Sequence, residues 1–362
     1  MGYITAIETA VPAYRYTQEE LRDFYLESTD NVLYKRKIKI VSDRSGINAR
    51  YSVLGDFKRR YSGVDLFDNP AELHTEPSLT ERMLLYKNKA LPLALDAVLR
   101  IKNFENIKGA ITHVISVTCT GLFAPGLDIE LIRALDLNPG VNRSAVNFMG
   151  CNAAILALKQ ADEICNNRND ANVLIVCVEL CTIHFQKRHN DDYILSNLIF
   201  SDGAAAIMVA SKPSTDYYGC AVKITSFHSL IIHNGFNDMA WQLSETGFIM
   251  NLTSYVSGLI NENIKPMLDG IGLKVSEIHH WAIHPGGKRI LDDFCSAVLL
   301  DRSKLSVTYE TLKNYGNMSS PTVLFVLKKL LEETSCQGHG QKIFAAAFGP
   351  GISIETAQLQ YV

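Results

Sequence analysis

Short apolar, β-rich runs alternate with helical stretches along most of the chain. His113–Cys119 has the makeup of a buried strand, Ala124-Pro125-Gly126 breaks it, and the spacing over Asp128–Leu137 predicts a helix. Ser144–Phe148 predicts a second strand. Gly150-Cys151 then opens an apolar helix over Asn152–Cys165, and Asn172–Glu179 predicts another strand. The order returns further on. His279–His284 predicts a strand, Pro285-Gly286-Gly287 breaks it, and Arg289–Leu299 predicts a helix. A short extended piece, Ser306–Thr308, and a helical turn follow. Gly316-Asn317 precedes a helix opened by Pro321, and Lys342–Phe348 predicts the next strand. Residues 28–75 lack this pattern and read as polar and irregular.

The two series keep similar offsets. Val114 and Cys151 stand 37 positions apart, and Trp281 and Asn317 stand 36 apart. From Cys151 to Val173 is 22 positions, and from Asn317 to Lys342 is 25. The pattern predicts an α/β fold with a mostly parallel sheet system, built from two pseudo-symmetric halves, 1–211 and 212–362. A twofold relation places the helix starts at Cys151 and Asn317 together near the middle of the molecule. His284 ends the strand ahead of the second helix start.

Composition narrows the function classes. The 362 residues are 47% hydrophobic and 20% charged, which argues for a packed globule. A net charge of −3 gives no global reason to expect nucleic acid or an anionic membrane as partner. The longest apolar stretch, residues 172–183, contains Glu179 and falls short of the roughly 18 residues of a membrane span. No basic start precedes an apolar block at the N-terminus, Ala6 stands where a myristoylation signal has Ser or Thr, and the final Leu359-Gln360-Tyr361-Val362 has no prenylatable cysteine. These features favour a cytoplasmic protein whose eight cysteines are reduced thiols. Cys177, Cys181 and His184 resemble a metal fragment, but no second ligand pair stands at zinc spacing, so no metal is expected.

The candidate chemistry centres on Cys151. A free thiol with a pKa near ~8.5 is mostly protonated at neutral pH, and a helix N-terminus favours its thiolate. Taken singly, Cys151 reads as a packed core cysteine, His284 as a satisfied core histidine and Asn317 as a helix cap. Their joint occurrence changes that weighing. Gly150-Cys151 at a helix start, His284-Pro285-Gly286-Gly287 at a strand end, Gly316-Asn317-Met318-Ser319-Ser320 before a helix, and Phe348-Gly349-Pro350-Gly351 after the last long strand come in order.

Together with Cys119-Thr120-Gly121 through Pro125-Gly126, Asn147-Phe148-Met149-Gly150-Cys151, Phe200-Ser201-Asp202-Gly203-Ala204-Ala205 and Trp281-Ala282-Ile283, these motifs resemble the type III polyketide synthases. That group is the chalcone synthase-like branch of the thiolase fold. The resemblance runs from about Lys35 to Thr356, and the Cys119–Gly126 stretch looks closest to bacterial members. It implies a thiolase-like αβαβα layered fold. It also implies that Cys151 carries the starter and the growing chain as a thioester, while His284 and Asn317 stabilise the thioester oxyanion and the enolate left when malonyl-CoA loses carbon dioxide. An amide donor suits that role because it does not titrate. No bound cofactor is implied. The substrates are malonyl-CoA and an acyl-CoA, or an acyl carrier protein thioester, and the enzyme is a homodimer.

The resemblance places Lys37 and Arg44 on coenzyme A phosphates, with Ile40 replacing a third cation and Arg289 as a substitute. Phe200 matches one gatekeeping phenylalanine, and Met250 stands where plant enzymes have the second. Trp241 blocks part of the plant-type cavity. Cys119, Cys181 and His184 replace threonines that shape it, and Ser319 belongs to the same pocket. Asn152 is read as a helix cap, Ala124 as a residue at the dimer interface, and Phe348–Gly351 as a loop at the active site. These departures predict a medium- or long-chain aliphatic starter and an alkylpyrone or alkylresorcinol-like product. Two alternatives are an initiating 3-oxoacyl carrier-protein synthase, whose histidine motif lacks the Pro-Gly-Gly, and a silent acyl-binding subunit, which the intact Cys-His-Asn set opposes.

Overall fold

A computed structural model describes all residues except 59–62, 68–75, 189, 254 and 335–337. Cys336 lies outside the described residues. Its strands are β1 (Tyr3–Ala10), β2 (Tyr14–Thr17), β3 (Ala49–Ser52), β4 (His113–Thr118), β5 (Asn142–Asn147), β6 (Asn172–Leu180) and β7 (Asp202–Ala210). They continue with β8 (Val222–Ile231), β9 (Met239–Ser244), β10 (Gly247–Leu252), β11 (His280–Ile283), β12 (Lys342–Gly349) and β13 (Ser353–Tyr361). Nine form one sheet in the order β11-β12-β13-β8-β1-β7-β6-β4-β5. The sheet is mixed. Only β4/β5, β4/β6 and β11/β12 are parallel, which corrects the expectation of a mostly parallel system. The antiparallel β7, β8 and β13 supply the difference.

The sheet order displays the duplication. Going out from the β1/β8 seam, one half runs β1-β7-β6-β4-β5 and the other β8-β13-β12-β11. The pairing senses match step for step: β7/β1 and β13/β8 antiparallel, β6/β7 and β12/β13 antiparallel, β4/β6 and β11/β12 parallel. The second half has no partner for β5. Ser306–Thr308, expected as that extended piece, instead begins the helix Ser306–Tyr315, where Thr308, Thr311 and Leu312 are buried on one face. Burial at helical spacing overrides the β preference of Val307 and Thr308.

The central strands are apolar without alternation because both of their faces are buried. Along β6, Val173, Ile175 and Cys177 face a central core, while Leu174, Val176 and Val178 face an outer one. Along β12, Ile343, Ala345 and Ala347 face the same central core, and Phe344, Ala346 and Phe348 a third. The central core holds the helices Ala153–Asn167 and Thr322–Thr334. The helix Leu79–Val98 covers one outer face, and Val256–Gly270 with Lys288–Val298 covers the other. The result is the layered α/β arrangement expected. No helix among the described residues is long and apolar enough to cross a membrane.

The described part of residues 28–75 is more regular than expected. Asn31 accepts from the Leu33 and Tyr34 amides and starts a helix at Val32–Arg44. Its hydrophobic signal is weak because only Ile38 and Ser42 are buried.

Candidate active site

Cys151 leaves β5 through a sharp turn in which Phe148 and Gly150 take left-handed φ values of 59° and 85°. Gly150 is required twice over. Its backbone favours glycine, and a Cβ there would lie 2.3 Å from Pro350 Cδ. The Phe348–Gly351 loop therefore packs directly on the Cys151 turn. Asn152 stands at the helix start but makes no capping bond, contrary to expectation. Its Nδ2 donates instead to Ser353 Oγ at 2.8 Å, tying the turn to the strand after that loop.

The second half supplies the other two groups. The His284 amide donates to Ala346 O at 2.8 Å, which fixes it at the end of β11. Asn317 is held by the segment around Phe200. Its amide donates to Ile199 O, and its carbonyl accepts from the Ser201 amide, both at 2.9 Å. The Cys151 thiol donates to Ser319 Oγ at 3.6 Å and to Asn317 Oδ1 at 3.9 Å. The Ser319 amide also donates to Asn317 Oδ1, at 2.8 Å, so the amide oxygen faces the thiol. One Nδ2 proton makes a 3.3 Å contact with Gly286 O. Both ring nitrogens of His284 are buried and unpaired among the described residues.

Cys151, His284 and Asn317 share a chamber of about 410 Å³ with Gly286, Ile290 and Phe348. The chamber is buried, and burial opposes charge on both groups. It pushes the Cys151 thiol up to about 12, against the helix N-terminus that was expected to lower it. Burial alone drives His284 down to about 3.

Phe200, Trp241 and Met250 line this chamber and also a neighbouring cavity of about 830 Å³. Trp241 and Met250 are cross-strand partners in the β9–β10 hairpin, so they stand side by side in one wall. The second cavity receives Cys119, Cys181, His184 and Ser319, and Leu21, Phe24, Phe57 and Phe185 build an apolar part of its lining. Cys119 also accepts from the Gly150 amide at 2.9 Å, bracing the Cys151 turn from behind. Cys177 is packed in the central core, away from this cavity's lining.

The proposed coenzyme A cations divide. Lys37 pairs with Asp191 at 2.5 Å, and Arg44 is exposed on the same helix. Lys288, not singled out from the sequence, packs over Gly46 just beyond that helix. Arg289 contacts Asp293 at 3.6 Å and lines a separate recess with Tyr255 and Glu262.

Two buried charges also escaped sequence reading. Arg50 donates through Nη1 to Asn197 O and Phe200 O, at 2.8 and 2.6 Å, and so fixes the segment around Phe200. Burial pulls its pKa down to about 9. Glu179 accepts from the Cys119 amide, Thr120 Oγ1 and Ser320 Oγ, linking the two halves behind the site. Its only sequence signal is a carboxylate ending an apolar run.

Family comparisons cover the chain almost end to end. Residues 1–213 match the chalcone and stilbene synthases, N-terminal domain, and residues 223–362 match the C-terminal domain. Among solved structures, PKS-I from the brown alga Ectocarpus siliculosus is similar over 100% of this chain and 98% of its own, with a TM-score of 0.91 and 26% identity. The C-terminal type III polyketide synthase domain of Steely1, a type I/III hybrid from Dictyostelium, is similar over 100% of this chain and 99% of its own, with a TM-score of 0.90 and 27% identity. With both domain families matched in order on a thiolase-like fold, the chain belongs to the chalcone and stilbene synthase family and is a type III polyketide synthase.

Proposed function

We propose that this synthase loads a medium- or long-chain aliphatic acyl group on Cys151, extends it with malonyl-CoA, and releases an alkylpyrone or alkylresorcinol-like product. The observation that carries this reading is the junction at Phe200, Trp241 and Met250, where the Cys-His-Asn chamber meets a larger, mainly apolar cavity.

In the loading step Cys151 Sγ attacks the starter carbonyl, and His284 takes the thiol proton as the S–C bond forms. The proton then leaves with the departing coenzyme A thiol. Malonyl-CoA then loses carbon dioxide. The second Nδ2 proton of Asn317 and His284 stabilise the enolate oxygen, and its α-carbon attacks the Cys151 thioester, forming the new C–C bond and expelling the Cys151 thiolate; the chain, two carbons longer, is then held on coenzyme A and returns to Cys151 by the loading step. An apolar chamber strengthens those contacts, since water does not compete for them.

Lys37, Arg44 and Lys288 are the cations offered to coenzyme A phosphates, with Arg289 further round the surface. A homodimer is supported by the unpaired outer edge of β5, by exposed Leu122 and Met149 beside it, and by exposed Ala124. A reducing cytoplasm suits the free cysteines among the described residues. The family match sets aside the initiating carrier-protein synthase. The bacterial likeness of Cys119–Gly126 remains part of this proposal.

Incubation with malonyl-CoA and a panel of acyl-CoA and acyl carrier protein thioesters, followed by mass spectrometry, tests it. The expected result is an acyl adduct on Cys151 and alkyl-substituted products. Products from malonyl-CoA alone, with no alkyl tail, overturn the aliphatic assignment.

A further inference from the structure

The polar groups of the larger cavity are nearly all spent. Thr120 Oγ1 donates to Glu179 and accepts from the Leu180 amide. Thr182 Oγ1 is bound to Asp202 and Ser52. His184 is the exception. Its Nε2 lies 2.8 Å from the Thr120 carbonyl, which can only accept, so Nε2 carries the proton. Nδ1 is therefore a bare acceptor, and it is buried with no partner among the described residues. Two other lining atoms lack partners, Arg50 Nη2 and Tyr193 Oη, but both have protons to give. Only His184 Nδ1 requires a donor from whatever enters.

The imidazole is held rigidly. Its ring stacks on Phe248, with centroids 4.1 Å apart and planes within 14°. The buried Arg82 guanidinium donates to the carbonyls on either side, those of Ile183 and Phe185. Arg82 in turn fits only because residue 247 is glycine. A Cβ there, at a φ of 121°, would lie 2.9 Å from Arg82 Nε. Burial and the Arg82 charge both disfavour protonation of His184. The ring stands at the catalytic end of the cavity. Thr120 adjoins Cys119, which contacts Gly150, and Phe248 contacts Phe148 at 5.1 Å.

Resting on the condensation reading above, we propose that His184 Nδ1 accepts the neutral enolic O–H of the extended chain, and the hydroxyl of the ring into which that chain closes. A hydrocarbon starter tail offers no such donor, so it belongs further in, against Leu21, Phe24, Phe57 and Phe185. The oxygen-bearing part laid down by each extension then lies at His184. By pairing with the enol, Nδ1 holds the tautomer whose neighbouring carbon is nucleophilic. An extended chain leaves no buried acceptor unsatisfied, whereas an unextended one does.

The test compares two ligands of similar shape, 5-heptylresorcinol and 1,3-difluoro-5-heptylbenzene, of which only the first donates. The wild-type protein is expected to favour the resorcinol by about tenfold. His184→Phe, which keeps the stack, should remove most of that preference. His184→Asn, which keeps an amide near the Nδ1 position, should retain part of it. An unchanged ratio in His184→Phe overturns the proposal. A readout without substitution is the unprotonated ring nitrogen of His184 in ¹⁵N spectra of the wild-type protein. It should move upfield with the resorcinol and stay with the difluoro compound, and no movement with either also overturns the proposal. Wild-type turnover with acyl-CoA and malonyl-CoA reports on the condensation reading separately, since these binding ratios need no turnover.

Discussion

The catalytic chamber and the cavity beside it share three side chains and little else. The chamber is made where the two halves meet. Cys151 comes from the turn after β5, and Asn317 and His284 come from the corresponding region of the second half, each held by backbone hydrogen bonds. The cavity has no such ancestry. Its walls come from Leu21 and Phe24 on an N-terminal helix, Phe57 in a loop, the turn at Cys181–His184, and the β9–β10 hairpin. On the proposed reading, symmetry fixes where the chemistry happens, and asymmetric additions fix what fits beside it. Substitutions in the first region should alter rates, and those in the second should alter selection.

The sharpest break of this comparison is Cys151→Ala. Intact-protein mass spectrometry should show an acyl adduct on wild type and none on the variant. Cys151→Gln, a neutral mimic of the acylated cysteine, should retain malonyl-CoA decarboxylation. A full-level adduct on Cys151→Ala would place the nucleophile elsewhere.

Asn317→Ala comes next. Removing one oxyanion donor costs about 10²–10³ in rate, and the effect should fall on decarboxylation, with starter loading changed only a few-fold. Equal small effects on both half-reactions, measured by carbon dioxide release and adduct formation, would reduce Asn317 to a structural role.

Glu179 tests the seam behind both regions. Burial raises its carboxyl from 4.5 to about 7. Between those values the folded chain holds a proton that the unfolded chain has lost. The contribution is therefore complete below about pH 4.5 and is lost as pH rises through 7. The difference amounts to about 3 kcal/mol. Burial of His184 and His284 works the other way over the same range, so the Glu179 contribution appears only as a difference between two proteins. Between pH 5 and pH 8, urea unfolding should show wild type losing about 2–3 kcal/mol relative to Glu179→Gln. The same pH dependence in both proteins would assign it to other groups.

The same division explains what the sequence could tell. Duplicated elements repeat their offsets, so β4, β6, β11, β12 and the helix that follows Cys151 were legible, as were the motifs on them, whereas Asn317 sits in an extended bridge with Phe200 and its helix begins only at Thr322. Where the second half departs from the first, at Ser306–Tyr315, the repeat misled. The sheet's parallel character was also overread, because strand direction leaves no periodic mark on a doubly buried strand. The burial that opposes the helix start at Cys151 was hidden for a related reason. A helix start is visible in a sequence, whereas the walls that bury the thiol include Phe200, Trp241, Met250 and Phe348, which are far apart along the chain. Arg50 and Arg82 were missed because a lone arginine in a polar segment looks like surface until the fold buries it.

The mildest and most selective prediction concerns the shared wall. Met250 is flexible and apolar, and it sits opposite Trp241 across the hairpin. Each methylene buried past it contributes about 0.8 kcal/mol, or roughly a fourfold gain in affinity. Catalytic efficiency should therefore climb from acetyl-CoA toward palmitoyl-CoA until the cavity is full, then level off. Met250→Trp puts a second indole beside the first and fills part of the passage, so the plateau should arrive several carbons earlier. The slope below that point should stay the same, because the short chains bury the same methylenes in both proteins. Decarboxylation of malonyl-CoA should stay within a few-fold of wild type, since Met250 contributes no polar group to the chamber. If Met250→Trp instead slowed every chain length equally, the wall would act on the chemistry rather than on the passage. A flat or falling series in wild type would mean that Trp241 already closes the passage and that the cavity beyond receives no starter tail.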